Sequence, residues 1–358
     1  MNIDFLKVCS DVTKTARKIP QSQYLSSGQY PIFDQGQKTI SGYYNDVGNI
    51  ANDFPYIVFG DHTRVLKYVN EPCYIGADGV KLLKIINNDF VPKYVFYALL
   101  ANPVNSQGYS RHFKFLKEKK IKIASKKEQH FIIEKLDSIK ESIELKENEL
   151  KSLDELVKSR FIEMFMNKAY QKEYLKNLSI SKAEYGAGSA SIPYVEGRPR
   201  YVRITDIKDD GTLNNDLVCS ANSQDDINYK LSYGDFMFAR MGATVGKTYA
   251  YFEGNQIYAG YLIRYRLNTN KINPRYLFFY TKLDEYWLWV KNSQSGAAQP
   301  GINAKKYDLL QFPVPPIKLQ NEFAAFVEQV DKSKFVVQQQ IKDLQELLDK
   351  KMDEYFSE

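Results

Sequence analysis

The stretch LKSLDEL at residues 150–156 lies on IKDLQEL at residues 341–347 when the chain is shifted by 191 residues, from Leu150 to Ile341, against itself. In both stretches and in the residues on either side, apolar residues recur at alternating steps of four and three positions. This spacing is typical of a coiled-coil seam. Each copy is therefore predicted to be a long helix with one narrow apolar stripe. The first seam consists of Ile132, Leu136, Ile139, Leu150, Leu153, Val157 and Met164, and it falls on Phe323, Val327, Val330, Ile341, Leu344, Leu348 and Tyr355.

Both long helices carry start signals. Ser125 with Glu128 three residues later forms a capping box, and Pro315 and Pro316 precede the second helix, where a missing N–H is tolerated. Because a narrow apolar stripe is unstable in water, the two stripes are expected to pack on each other or on partner helices. Lysines interrupt the seams, which indicates register control or a partner that covers part of the stripe: Lys146, Lys334 and Lys351.

The segments before the two helices repeat more weakly. FVPKYVFYAL (residues 90–99) matches INPRYLFFYT (272–281), and each is predicted to be a short helix preceded by a strand-rich block. The predicted fold is α+β: two β-rich domains in pseudo-repeat, each followed by a long helix, with the helices packed as an antiparallel coiled coil. The predicted boundaries are 1–124 for the first domain, 125–168 for the first long helix, 169–314 for the second domain and 315–358 for the second long helix.

Composition excludes several classes of protein. The chain has 358 residues, a net charge of +6, and hydrophobic and charged fractions of 44% and 26%, which are typical of a globular protein. The start does not resemble a signal peptide, and no apolar run is long enough for a membrane span, so a cytoplasmic location is predicted. Its three cysteines and three histidines are scattered, which argues against disulfides and a Cys/His metal site.

A glycine-rich motif, FARMGATVGKTYAY at residues 238–251, resembles a nucleotide-binding loop. A phosphate-binding loop needs four residues between its first glycine and Gly-Lys-Thr, whereas three separate Gly242 from Gly246 and the required position holds Met241. The residues that follow alternate with a period near two, which predicts strands joined by a turn at residues 253–255 rather than a helix. The spacing therefore argues against an ATPase.

Other catalytic signatures are also missing. No Asn/Asp-Pro-Pro-Tyr/Phe motif of an adenine methyltransferase occurs, no Glu-x-Lys motif accompanies Asp61 or Asp78 as a nuclease requires, and DDGTLNND at residues 209–216 lacks calcium-loop spacing. The chain itself is predicted to be non-catalytic. The segment at residues 111–130 holds eight Lys or Arg against two Glu, which is either a solvated face or a surface for a phosphate backbone.

Three motifs, in this order and spacing, resemble the specificity subunit of type I restriction-modification enzymes: YVRITDIKDDGTLN (201–214), YGDFMFARMGATVGKTYAY (233–251) and SGAAQPGINAKKYDLLQFPVPPIKLQNEF (295–323). The resemblance implies two target recognition domains that each read one half of a split, asymmetric double-stranded DNA sequence, with the helices as a spacer. It also implies two methyltransferase subunits that use S-adenosylmethionine, and restriction subunits that use ATP and magnesium. This chain would need no cofactor of its own.

In that family GATVGKT belongs to a recognition domain and binds no nucleotide. Two interpretations stay open: a turn that brings Lys247 and Thr248 near DNA, or a structural corner of the domain. The first half departs from the pattern, because FGDHTRVLKY takes the place of ARMGATVGKT and NSQGYSRHFKFLKEKK that of SGAAQPGINAKKYDLLQ. Such divergence is expected if the two domains read different sequences.

The predicted DNA contacts follow from side-chain chemistry, because Lys, Arg and hydroxyls bind phosphate whereas Arg, Asn and similar groups also read bases. In an alternative interpretation, each is a solvated surface residue, and Arg203 or Arg240 pairs with a buried acid. Two other functions are considered: a specificity subunit for a fused methyltransferase-nuclease, and a structural coiled-coil adaptor. The predicted residues are Lys38, Tyr43, Tyr44, Arg64, Arg111 and Lys114 in the first domain, and Arg198, Arg200, Arg203, Arg240, Lys247, Asn303 and Lys305 in the second.

Overall fold

The computed structural model describes residues 2–46, 48–108, 110–166, 168–222, 228–294 and 300–357. Residues 295–299, the start of the quoted SGAAQPGIN motif, lie outside these ranges. The chain forms two compact units, the first comprising Met1–Glu149 with Val337–Glu358 and the second Leu150–Val336. The boundaries predicted above divide the chain by sequence order, and they stay a prediction.

The first unit is built around a four-stranded antiparallel sheet in the order β2-β9-β6-β7. All of β6 is buried, because Ile57 and Phe59 face one apolar cluster while Tyr56 and Val58 face another, as the two-residue period of a strand requires. A second sheet has the order β3-β8-β4-β5, and β1 pairs with β10. The strands are β1 Asn2–Asp4, β2 Cys9–Asp11, β3 Lys18–Ile19, β4 Tyr30–Phe33, β5 Gly42–Tyr44, β6 Tyr56–Gly60, β7 Leu66–Val69, β8 Tyr74–Gly76, β9 Val80–Ile85 and β10 Lys120–Lys122.

The second unit repeats this central sheet, in the order β12-β19-β16-β17. The predicted strands around residues 253–255 are β17 and β18, but they do not pair with each other: β17 pairs with β16, and β18 runs parallel to β14. Further pairs join β13 to β15 and β11 to β20. The strands are β11 Lys172–Tyr174, β12 Glu184–Tyr185, β13 Ser191–Pro193, β14 Arg200–Val202, β15 Cys219–Ala221, β16 Asp235–Ala239, β17 Thr248–Ala250, β18 Gln256–Tyr258, β19 Leu262–Arg266 and β20 Gln311–Pro313.

Two long helices, α3 and α7, each run from one unit into the other. The predicted capping box is present at α3, because the Ser125 N–H donates to Glu128 at 2.8 Å and the Glu128 N–H donates to the Ser125 hydroxyl at 3.3 Å. Within the described ranges, no helix combines the length and apolar character that crossing a bilayer requires. The helices are α1 Pro92–Ala101, α2 Phe113–Leu116, α3 Lys126–Phe161, α4 Pro274–Tyr280, α5 Asp284–Ser293, α6 Ala304–Tyr307 and α7 Ile317–Phe356, with a π-helical turn at Ile162–Met166.

The long helices pack on each other, as the seam predicts. In the first unit, Ile132 and Leu136 near the start of α3 share a core with Leu348 and Met352 near the end of α7. In the second unit the order is reversed, and the end of α3 shares a core with the start of α7. The helices therefore run in opposite directions, and the predicted fold class is confirmed. Of the seam lysines, Lys334 pairs with Asp154 across the two helices, whereas Lys146 and Lys351 pair within their own helices.

A buried glutamine joins each long helix to its domain. Gln129 and Gln320, both 0% exposed, accept hydrogen bonds from the backbone N–H groups of Val91 (2.7 Å) and Asn273 (2.8 Å), just before the short helices α1 and α4. Their amide groups donate to carbonyls that lead into the long helices, those of Ala124 at 2.9 Å and Pro315 at 2.7 Å. The two joints are equivalent under the same shift of 191 residues, from Gln129 to Gln320.

Candidate nucleic-acid interface

In both domains, the loop after the central strand, β6 or β16, is held by the same two backbone hydrogen bonds. These two bonds are its backbone frame. In the first unit the Asp61 N–H donates to the Gly79 carbonyl at 2.7 Å, and the Asp61 carbonyl accepts from His112 at 2.8 Å. In the second unit the Arg240 N–H donates to Tyr261 at 3.0 Å, and the Arg240 carbonyl accepts from Ile302 at 2.9 Å. Asp61 and Arg240 therefore occupy equivalent positions, next to the short helices α2 and α6.

The GATVGKT motif forms a corner of the second domain. Gly246 has a φ of +88°, and a Cβ there would lie 2.7 Å from Val290, so this position requires glycine. The Gly246 carbonyl accepts a hydrogen bond from the buried Tyr286 hydroxyl at 2.6 Å. Thr248 is buried and shares a hydrogen bond of 2.8 Å with Thr281. The motif thus fixes β17 against α4 and α5.

Lys247 belongs to a charge cluster beside that corner. Its Nζ lies 2.8 Å from Asp209, in the acidic stretch that lacks calcium-loop spacing, and the hydrogen bond from Lys247 lowers the pKa of Asp209. The Lys282 ammonium donates to the Asp209 carbonyl at 3.1 Å, and burial lowers the Lys282 pKa to about 8. Among the residues that the structure describes, no group of three or more His, Cys, Asp or Glu side chains is placed to hold a metal ion.

Three predicted arginines of the second domain hold neighbouring segments in place. Arg203 pairs with Asp206, which is 7% exposed, with Nη2 and Oδ1 2.7 Å apart, and this hydrogen bond raises the Arg203 pKa. Arg200 donates to the side chain of Asn215 at 2.7 Å, and Arg198 donates to the Ala221 carbonyl at 3.4 Å. The alternative of pairing with a buried acid therefore describes Arg203.

Arg240 is placed differently. Its guanidinium carbon lies 4.9 Å from the centroid of the Tyr185 ring and 5.6 Å from that of Tyr261. No carboxylate within the described part of the chain forms an ion pair with it. Asn303 caps α6 by accepting from the Lys306 N–H at 3.0 Å, and Lys305 is exposed on the same short helix. Tyr185 and Tyr261 were not predicted from the sequence, because they are distant in the chain and no motif links them.

One group of predicted residues in the first domain lies on β5 and on the loop before it. Lys38 is exposed on the loop between β4 and β5, which is held by Asp34: this carboxylate accepts from Ser41 at 2.5 Å and lies 3.5 Å from the buried Lys67. Tyr43 and Tyr44 follow on β5 and are half-buried; Tyr44 also packs edge-to-face on Tyr74 at 5.5 Å.

The other predicted cations of the first domain lie on the segment between β6 and β7 and at α2. Arg64 is exposed, has a φ of +65° and donates to the Val104 carbonyl at 3.3 Å. Arg111 and Lys114 are exposed before and within α2, where Lys114 lies 4.7 Å from the centre of the Phe115 ring. The further exposed cations Lys117 and Lys120 extend this basic surface along the chain.

The chain matches the family described as "Type I restriction modification DNA specificity domain" twice, over residues 4–155 and 197–346. The chain belongs to this family. It therefore carries two DNA specificity domains, one in each half, as the sequence motifs predict. The matched ranges cover the first central sheet, all of the second except β12, the candidate contacts and most of both long helices.

Individual relatives agree with this assignment. The chain is 24% identical over 287 residues to the type I restriction enzyme StySPI specificity subunit of Salmonella potsdam, an alignment that covers 72% of this chain and 62% of that protein, less than two thirds of its length. Its fold is similar to the crystal structure of a type I restriction-modification S subunit from M. genitalium, with a TM-score of 0.63 at 15% identity over 100% of this chain and 96% of that one. A chain from a structural study of complex assembly and conformational transition in the type I R-M system has a TM-score of 0.55 at 16% identity, covering 99% of this chain and 97% of that one.

Proposed function

We propose that this chain is the non-catalytic subunit that gives a type I restriction-modification enzyme its DNA sequence specificity. The observation that carries the proposal is the duplicated specificity domain, in which one backbone frame presents different side chains in each copy. Each domain reads one half of a split, asymmetric target in double-stranded DNA, and the paired helices α3 and α7 set the spacing between the halves.

The partners are methyltransferase and restriction subunits. The Salmonella potsdam relative is named as the specificity subunit of a type I restriction enzyme, which supports an equivalent place for this chain. S-adenosylmethionine, ATP and magnesium bind to those partner subunits, which perform adenine methylation and DNA cleavage in the cytoplasm. This chain directs them to their target.

The residues proposed to touch DNA are exposed or half-buried polar groups that form no ion pair with an acid among the residues that the structure describes. In the first domain they are Lys38, Tyr43, Tyr44, Arg64, Arg111 and Lys114, and in the second they are Arg198, Arg200, Arg240, Asn303 and Lys305. Arg203 and Lys247 instead pair with Asp206 and Asp209 and support the surrounding loops. The DNA contacts have two different roles. Lysines at phosphates give affinity for any DNA sequence, whereas paired hydrogen bonds to base edges give specificity.

The experiment is adenine methylation mapping of host DNA after co-expression of this chain with its methyltransferase subunit. The expected result is methylation at a motif with two defined halves and an unspecified spacer of fixed length, absent from a control that lacks this chain. A soluble complex without such methylation would contradict the proposal and would favour a structural adaptor.

A further inference from the structure

The guanidinium of Arg240 lies between two aromatic rings instead of beside an acid. Its carbon is 4.9 Å from the Tyr185 ring centroid and 5.6 Å from that of Tyr261, and its Nε is buried without a hydrogen-bond partner among the described residues. Arg203 and Arg275 of the same unit instead pair with carboxylates. Cation–π contact holds the Arg240 head group, while its Nη groups have no acceptor within the described ranges.

The two rings lie at the surface, and the Tyr185 segment is held by contacts of its own. Tyr185 and Tyr261 are 43% and 53% exposed, and Arg240 between them is half-buried. The Tyr185 hydroxyl accepts a hydrogen bond of 3.1 Å from the N–H of Ala304, at the start of α6. The preceding residue, Glu184, pairs with the buried Arg264. Because these contacts order the site before binding, little conformational entropy remains to be lost.

Comparison with the first domain explains why the side chain at position 240 is available to bind a ligand in the second domain. Asp61, the equivalent of Arg240, is 5% exposed and accepts from the Phe113 N–H at 2.7 Å, so it caps α2. In the second domain the equivalent N–H, that of Ala304, donates to the Tyr185 hydroxyl, and Asn303 accepts from Lys306, so the Arg240 side chain has no hydrogen bond in the described part of the chain. The same backbone position is therefore structural in one domain and available in the other.

We propose that Arg240 reads a guanine in the half of the target that the second domain recognises. Its planar fork can donate two hydrogen bonds to the O6 and N7 atoms of guanine in the major groove, whereas Tyr185 and Tyr261 hold the fork in place. This inference rests on the proposed function, because it names the base contact of one specificity domain. A phosphate contact is the competing role, and it would weaken binding to all sequences equally.

The test compares Arg240→Lys with the wild-type chain in the full assembly with its methyltransferase subunits. Lysine keeps the positive charge but not the rigid planar fork that stacks on the two rings and fixes the direction of the donors. On the wild-type motif we expect binding to weaken roughly 5- to 150-fold, with selectivity lost at one G·C pair of one half and the other half unchanged. Binding is measured on duplexes in which each base pair of the mapped motif is replaced in turn.

Two further variants keep the test decisive. Tyr261→Leu removes an exposed ring of the stack and is expected to relax the same G·C pair, so the proposal does not depend on the folding of one variant. Arg160→Lys, on α3 and paired with Glu163, is the matched control and should leave the motif unchanged. Thermal melting of each variant verifies that the second domain is folded.

The outcomes separate the two proposals. If the wild-type assembly methylates a split motif but Arg240→Lys and Tyr261→Leu leave it unaltered, the guanine assignment is wrong and the proposed function stands. An equal loss on every duplex, including random DNA, also overturns base reading in favour of a phosphate contact. A wild-type assembly without a split motif overturns the proposed function, and the assignment of Arg240 with it.

Discussion

At the scale of single residues, the equivalent glutamines Gln129 and Gln320 have a structural role that residue types alone do not indicate. Both have the same identity at the same point of the repeat, and both are fully buried. A glutamine in the first turn of an amphipathic helix is usually solvated, so its identity alone does not indicate burial. The partners of its side chain, such as the Val91 N–H, are backbone groups that no pattern of residue types reveals.

We expect Gln129→Met and Gln320→Met each to destabilise the unit in which it lies by about 1–3 kcal/mol, because a buried N–H and buried carbonyls lose their partners while the volume is nearly kept. Denaturation in urea, followed by the midpoint for each unit, measures the effect. Gln338→Met, at an exposed position of α7, is the control. Equal small changes in all three variants would show that the joints contribute no stability.

Lys282 gives a prediction about pH. Burial lowers its pKa from 10.5 to about 8, against the opposing effect of Asp210 and Asp209, so the folded chain releases this proton at lower pH than the unfolded chain does. Between these two values the unfolded state binds more protons, and this group therefore adds stability as pH rises. Lys282→Met removes the contribution, so its stability relative to wild type should fall from neutral pH to a pH of about 9.5.

Urea denaturation at the two pH values tests the prediction for Lys282. Lys271→Met, at an exposed position of the same unit, is the control for the loss of a surface lysine. A difference from wild type that stays constant with pH for Lys282→Met would contradict the lowered pKa of the Lys282 ammonium.

At the scale of elements, the long helices were predictable and the small sheets were not. The apolar stripe repeats every three or four residues and recurs in the second half of the chain, so both the helices and their pairing follow from local spacing. The parallel pairing of β18 with β14 joins segments that are distant in sequence. The sequences of β14 and β18 do not indicate that these strands pair. The same residues are equally consistent with a hairpin of β17 and β18.

Two phenylalanines of α7 differ in their environment, because one packs in the core and the other is exposed to solvent. Phe323 is 0% exposed within the core of the second unit, whereas Phe335 is 68% exposed. We expect Phe323→Ala to cost about 3–5 kcal/mol and Phe335→Ala less than about 0.5 kcal/mol in the free energy of unfolding. Chemical denaturation of the isolated chain measures both. A large cost at Phe335 would mean that the exposed face of α7 packs in the folded protein.

At the scale of the whole molecule, the same plan appears twice and the candidate contacts differ. Lys114 and Lys305 correspond under the repeat, and both are exposed on the short helix of their domain. This correspondence was visible in the sequence. The grouping of Tyr185, Arg240 and Tyr261 was not, because strand β12 and the segments that hold Arg240 and Tyr261 meet there only after folding.

If Lys114 and Lys305 contact phosphates, each substitution by alanine should reduce the steepness with which binding falls as salt rises. The expected change is about 0.9 in the slope of log K against log salt for each phosphate that the variant no longer neutralises, on target and random DNA alike. Titrations of the assembly with its methyltransferase subunits at several salt concentrations measure the slope. Lys332→Ala, on an exposed part of α7, is the control. An unchanged slope would place these lysines away from the DNA backbone.

The short helices α2 and α6 are capped by different residues, Asp61 and Asn303, and this difference limits how DNA specificity can evolve. A mutation that replaces Asp61 removes the cap of α2, so selection on folding would reject it even if the new side chain gained a useful contact with DNA. In the second domain Tyr185 and Asn303 accept from the first N–H groups of α6 instead, and position 240 can vary without the same penalty. The order of mutations therefore matters: the first domain must acquire another cap before position 61 becomes free to explore new bases.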